Sequence, residues 1–206
     1  MSRFYVAAIT GRSGSGKSYA SEYLANAGVP VIDGDVVARQ VVQKGSRCLQ
    51  ELTKAFGKEI LQEDGSLNRQ LLAEICFSNP DDRDRLNRIT HPHIIKVITK
   101  EFDNLREQGK GYCVVEAAAL VESGLYSICD KVIMITSLEQ LQIQRIMKRD
   151  SITEQQARTR LSSQLASDEV KNICDMIISN NGTLEEFNSK LDMLAKQLDT
   201  WFSDTK

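Results

Sequence analysis

Residues 4–18 read FYVAAITGRSGSGKS. An apolar run suited to a buried strand gives way to eight residues made only of glycine, serine, arginine and lysine. The spacing Gly11-x-x-x-x-Gly16-Lys17-Ser18 is that of a phosphate-binding loop when a strand precedes it and a helix follows. Glycines let successive backbone N–H groups turn toward one anion with no Cβ in the way. A helix expected from Lys17 to about Asn26, stopped by Gly28, adds the positive end of its dipole. Gly11, Ser13, Gly14, Ser15, Gly16, Lys17, Ser18 and Tyr19 are the candidate nucleotide-binding residues. Lys17 can reach the β- and γ-phosphates of a nucleoside triphosphate such as ATP, and the Ser18 hydroxyl can ligate Mg²⁺. Loop geometry dictates no role for Arg12, which is expected to lie outside the phosphate nest.

The 206 residues suit one α/β domain with an insertion or two rather than two independent domains. Lys plus Arg (26) nearly balances Asp plus Glu (28), so nothing suggests a nucleic-acid carpet or an anionic membrane surface. No run approaches ~20 apolar residues, the length of a membrane-spanning helix. The N-terminus reads as a first strand rather than a leader. Cys48, Cys76, Cys113, Cys129 and Cys174 are scattered and lack C-x-x-C spacing. Buried, reduced thiols fit that pattern, and with them a cytoplasmic setting.

Apolar runs predict strands at 4–9, 29–32, 112–116, 131–136 and 176–179, with helical patterns between them. Such alternation implies a mostly parallel sheet covered on both faces. About eighty residues separate the second strand from the third, too many for a simple crossover. Segment 36–111, with helical stretches such as NRQLLAEICF and HPHIIKVITKEFDNLREQ, is expected to be a helical substrate-binding insertion. Segment 138–169 carries a charged helix pair and is expected to be a lid. The nucleotide-binding core is then 1–35, 112–137 and 170–206. In the last helix, Leu184, Phe187, Leu191, Leu194 and Leu198 recur at helical spacing and read as core, while Trp201 and Phe202 pin that helix to the sheet.

Strand ends at the carboxyl edge face the ligand crevice in open α/β sheets. Asp33 ends the second strand, where a carboxylate can accept the proton of an attacking hydroxyl or hold Mg²⁺ through water. Asp35 is either a second functional carboxylate or the cap of the following helix. Glu116 ends the third strand and either assists Mg²⁺ through water or is a partly exposed strand-end acid. Arg145 and Arg149, four residues apart on one helix face, can aim two guanidiniums at one cleft. His91, before Pro92, is expected to open a helix with the proline in its first turn. Two nearby histidines with no third ligand at helical spacing do not make a zinc site.

The order GRSGSGKS, VPVIDGDVVARQVV, FGKEILQEDGSLNRQLLAEICF, LNRITHPHI, ALVESGLY, RIMKRD and SNNG resembles the dephospho-CoA kinases over roughly 4–183. The resemblance implies a P-loop kinase with a five-stranded parallel sheet, a helical substrate region and a lid. It implies ATP- and Mg²⁺-dependent phosphorylation of the ribose 3′-hydroxyl of dephospho-CoA, the last step of coenzyme A synthesis. Asp33 then matches the family's general base, with Lys17, Arg145 and Arg149 as the other catalytic positions. Asp35 and Arg39 match DGDVVAR, Asn68 and Arg69 match LNR, and His91 matches HP, all on the substrate side. Asn180 and Gly182 match a turn that lies near adenine in related kinases. The chain departs from the family pattern at Arg12, Tyr19, Gly34 and Ala118, and the last bears on Glu116 and Glu122. A small-molecule partner, no nucleic acid, no membrane and a monomer or weak homo-oligomer complete the expectation. Another small-molecule P-loop kinase is the runner-up. A GTPase-like switch is disfavoured by the lack of an N-K-x-D motif.

Overall fold

Five parallel strands form one sheet in the computed structural model, which describes residues 3–118, 120, 124–162, 164 and 170–202. They are β1 (Tyr5–Thr10), β2 (Val31–Asp33), β3 (Tyr112–Glu116), β4 (Lys131–Thr136) and β5 (Met176–Ser179), in the order β2-β3-β1-β4-β5. Three of the five expected strands match their observed bounds, while β1 begins one residue later and β2 two residues later than the apolar runs suggest. Val29 is buried but precedes the ladder, which opens at Val31↔Val114.

Every strand of the sheet's centre is buried on both faces, and the alternation of side chains sorts two cores. Val6, Ala8, Cys113, Val115 and Val132 face one side, where they join apolar residues of the helical insertion. Ala7, Ile9, Val114, Ile133 and Ile135 face the other, against Ala20 and Leu24 of α1 (Lys17–Asn26) and the last helix, α8 (Leu184–Phe202). This two-sided burial explains the continuous apolar runs of a parallel sheet. Of the α8 stripe, Phe187, Leu191, Leu194 and Leu198 are core, whereas Leu184 is 55% exposed because it stands at the first position of the helix. Phe202 packs on Tyr5 and Tyr112 at ring-centroid distances of 5.0 and 5.2 Å, and Lys131 Nζ lies 5.5 Å from the Trp201 ring centre, so the aromatic pair does pin α8 to the sheet.

The insertion is helical: α2 (Gly34–Val41), α3 (Arg47–Phe56), α4 (Arg69–Ser78) and α5 (Pro80–Glu107). Leu52, Ile60, Ile98 and Leu120, all at 0% exposure, join it to the sheet in one apolar cluster. Four side-chain caps fix where these helices begin. Asp33, Ser46, Asn68 and Asn79 each accept a first-turn backbone N–H, which satisfies groups that otherwise lack partners. Pro80 is the first-turn proline. The expectation that His91 opens a helix is therefore corrected. His91 and Pro92 lie inside the 28-residue α5. Pro92 is exposed, so the hydrogen bond it cannot make lies on the solvent side of the helix.

α6 (Glu139–Asp150) and α7 (Glu154–Ser162) form the charged pair expected in segment 138–169 and bury their own small cluster, Ile143, Ile146, Ala157 and Leu161. Ser151 joins them in the left-handed region, φ +53°. All five cysteines are free thiols, and burial pushes Cys113 and Cys129 up to about 12.

The burial pattern predicts that Leu191→Ala costs about 2–5 kcal/mol in equilibrium urea unfolding, whereas Leu184→Ala at the exposed start of the same helix stays within about 0.5 kcal/mol of the parent.

Candidate functional site

The loop 11–18 leaves β1 between β3 and β4, where the sheet's connections diverge to opposite sides, and enters α1. That divergence opens a crevice at the carboxyl edge. α2–α5 begin at side-chain caps, but α1 does not: its N-cap is Gly16, φ +102°, with no side-chain hydrogen bond and no acid in the first turn. Its first N–H groups are left for an anion. The cavity at this end is about 260 Å³ and is lined by Gly14, Gly16, Lys17, Ser18, Tyr19, Arg145 and Arg149. Lys17 makes no ion pair among the described residues, so its ammonium is available to a ligand.

The glycines are required by close neighbours as well as by the nest. A Cβ on Gly14, φ +74°, would lie 2.6 Å from the Gln142 carbonyl oxygen of α6. A Cβ on Gly11 would strike the Ile135 carbonyl, and one on Gly16 the Asn180 amide.

Four successive loop residues are held from outside. Arg12 Nη2 donates to the Leu161 carbonyl on α7 at 2.6 Å, and its Nη1 lies 3.9 Å from Glu139. Ser13 N–H donates to Gln164 Oε1 at 2.9 Å. The Gly14 carbonyl accepts from Arg145 Nη1 at 3.1 Å, and the Ser15 carbonyl accepts from Asn180 Nδ2 at 2.9 Å. Arg12 thus has a role that motif reasoning did not supply: it lies outside the nest and ties the loop to α7. Its signal in the sequence was the departure from the family's usual glycine.

Arg145 also donates to Ser137 Oγ and the Asn180 carbonyl, each at 3.1 Å. Asn180 is therefore a brace between the loop and Arg145, and its side-chain amide is spent on protein groups. Gly182 sits on the surface, two residues on. Arg149 grips Asp150 through Nε and Nη2 at 2.8 and 2.9 Å. That fork raises the Arg149 guanidinium above its ordinary value and, with Arg160, draws the Asp150 carboxyl down to about 2. Tyr19 donates its hydroxyl to Asn188 at 2.8 Å.

On the other side of the loop stand the strand-end carboxylates. Asp33 and Glu116 are register partners at the ends of β2 and β3. Glu116 is only 8% exposed and accepts from Ser18 Oγ at 2.7 Å. Asp33 is exposed, and its Oδ1 accepts from Asp35 and Val36 N–H at 2.8 and 3.0 Å. The helix cap is Asp33, not Asp35, a correction with a simple cause: the chain turns directly at the strand end, so α2 starts at Gly34. Capping uses one carboxylate oxygen and fixes the side chain at the crevice edge.

The substrate-side candidates are less tightly grouped. Asp35 and Arg39 are exposed on α2. Arg69 Nη2 reaches the Arg39 carbonyl at 3.2 Å and stands at the edge of a largely apolar cavity of about 260 Å³, whose polar lining includes Asn87 and Thr90. Asn68 Oδ1 is spent as the cap of α4, accepting from Leu71 N–H at 3.1 Å. His91 is half-buried in α5, and burial holds its imidazole below the ordinary value. His93 pairs instead with Glu51 at 2.8 Å. Glu122 lies outside the described residues, as do 163 and 165–169 of the segment expected to be a lid.

The family model for dephospho-CoA kinase matches residues 5–186. Two curated relatives named dephospho-CoA kinase have similar coverage: one from Syntrophotalea carbinolica is 39% identical over 94% of this chain and 92% of that protein, and one from Oryza sativa subsp. japonica is 38% identical over 94% and 85%. The chain belongs to the dephospho-CoA kinase family. A solved dephospho-CoA kinase from Campylobacter jejuni superposes with a TM-score of 0.69 at 26% identity, covering 95% of this chain and 97% of that one. A Thermus thermophilus crystal structure reaches a TM-score of 0.82 at 24% identity over 95% and 98%. Shikimate kinase from Acinetobacter baumannii, at 16% identity and a TM-score of 0.51 over 98% of this chain and 94% of that one, shares the P-loop kinase fold.

Within the family's architecture, the brace at Asn180 makes a prediction of its own. Asn180→Ala strips the Ser15 carbonyl of its donor and is expected to cost about 1–3 kcal/mol in denaturant unfolding. Asn180→Asp, which sets an oxygen against that carbonyl, is expected to cost more.

Proposed function

We propose that this chain transfers the γ-phosphoryl group of ATP to the ribose 3′-hydroxyl of dephospho-CoA, giving coenzyme A and ADP. The observation that carries the reading is the uncapped start of α1, flanked by arginines on one side and by strand-end carboxylates on the other. Phosphoryl transfer needs charge neutralisation and in-line placement more than covalent chemistry. In this reading the loop amides and Lys17 bind the β- and γ-phosphates, while Arg145 and Arg149 face the group in flight. Water is excluded where α6 seats on the loop. The capped Asp33 carboxylate, with Oδ2 outside the cap, accepts the proton of the attacking hydroxyl.

The residues fit a divalent cation. Ser18 and Glu116 offer only oxygen donors, the preference of Mg²⁺. Glu116 is a buried carboxylate that meets a hydroxyl and no cation among the described residues, an arrangement that a bound positive charge would relieve. Ser18 would hold Mg²⁺ directly and Glu116 through water. Bound there, the ion would offset charge on the β- and γ-phosphate oxygens.

The acceptor lies along α2 in this proposal. From Asp33, that helix climbs about 1.5 Å per residue toward Arg39 and the Arg69 guanidinium beside it. The diphosphate of dephospho-CoA belongs with these two cations, and Asp35, Asn68 and His91 line the same approach from the helical insertion 36–111. The segment 138–169 acts as the lid and the remainder as the nucleotide-binding core. Free thiols suit a reducing cytoplasm, and among the described residues no helix is long and apolar enough to cross a membrane.

Mass spectrometry of the product formed from ATP, Mg²⁺ and dephospho-CoA tests the reading; phosphorylation of a nucleoside monophosphate instead would reverse it. Lys17→Ala is expected to lower turnover about 10²-fold or more. Asp33→Asn is the informative partner because asparagine caps a helix as well as aspartate does. It is expected to keep ATP affinity and thermal stability while losing about 10²-fold in kcat, and near-normal turnover would remove the base assignment.

A further inference from the structure

Arg145 and Arg149 line the same cavity, yet they are held by different chemistry. Arg145 is fixed by neutral acceptors: the Gly14 and Asn180 carbonyls and Ser137 Oγ. Arg149 is fixed by a carboxylate, its own neighbour Asp150. Adjacent helical positions point roughly 100° apart and do not ordinarily face each other. A two-point grip between residues 149 and 150 therefore bends the arginine back along one edge, using Nε and Nη2. The Nη1 edge is the part of the fork left outside the grip. Asp150 in turn is held from the second lid helix, where Arg160 Nη1 of α7 contacts Oδ2. The carboxylate is sheltered, with 24% of its side chain exposed, while the Arg149 side chain is 57% exposed. Arg149 is among the residues that line the cavity, whereas Asp150 and Arg160 are not.

We propose that Asp150 is a positioning residue for phosphoryl transfer: it locks Arg149 by its Nε–Nη2 edge, turns the Nη1 edge to the phosphates, and through Arg160 makes that presentation depend on α7 being seated. The proposal rests on reading this cavity as the phosphoryl-transfer site. Turnover of dephospho-CoA by the unmodified protein tests that reading alone, whereas the coupling between substitutions tests this one.

The experiment compares kcat and KM for ATP in the parent, Asp150→Asn, Arg149→Ala and the double variant, with thermal melts alongside. Asp150→Asn is expected to lower kcat about 10- to 100-fold, up to the scale of a misplaced catalytic group, without lowering KM for ATP. In the Arg149→Ala background the same change is expected to have less than a twofold effect, since residues acting as one unit are not additive. Multiplying losses, a fully active Asp150→Asn enzyme, or tighter ATP binding by that variant would each overturn the proposal; the last would make Asp150 a competitor for Arg149 rather than its guide. If Asp150→Asn fails to fold, Arg160→Gln carries the test. Its loss of kcat should vanish in the Arg149→Ala background, and a loss that persists there overturns the link through α7.

Discussion

The first turn of α1 is the point on which the rest of the fold bears. A helix start carries N–H groups without intrahelical partners, and in this chain α2–α5 answer that need with a side chain while α1 answers it with nothing. A bare helix start behind a rigid loop is a ready anion site. The rigidity is visible in the grips on residues 12 to 15, which come from α7, Gln164, Arg145 and Asn180. None of these uses the first-turn amides of α1. The loop is thus braced by its outer face and open on its inner one, which is the electrostatic preorganisation that phosphoryl transfer rewards.

Much of this was legible in the order of residues, and the failures are instructive. Strands 112–116, 131–136 and 176–179 were readable because a sheet buried on both faces demands unbroken apolar runs. The phosphate loop was readable because its glycines obey geometry rather than packing preference. The start of α5 was misjudged because two prolines compete for the first-turn position. Pro80 follows a capping asparagine; Pro92 is tolerated mid-helix on an exposed face. Asp33 and Asp35 were separable only once the turn was known, since either can cap a helix in principle. Arg12 and Asn180 work through partners 30 or more residues away, and spacing along the chain carries no trace of such contacts.

The same cores decide which part of the molecule can move. The helical insertion shares one apolar cluster with a face of the sheet, so displacing it would expose side chains such as Leu52 and Ile98 that are fully buried. Each such side chain is worth about 1.5–3 kcal/mol of burial, which ties that insertion to the strands. The α6–α7 pair is built otherwise. α6 and α7 bury a separate small cluster between themselves, and their hold on the loop includes the polar contacts of Arg12 and Arg145, with Gln164 beyond α7 adding a third. Hydrogen bonds of this kind contribute about 0.5–1.5 kcal/mol net, and about 1.5–3 kcal/mol where a charged guanidinium donates, because water replaces them when they open. Among the described residues the α6–α7 pair therefore shares no apolar cluster with the sheet, and Arg145 and Arg149 stand on an element that reaches the phosphate loop through polar contacts.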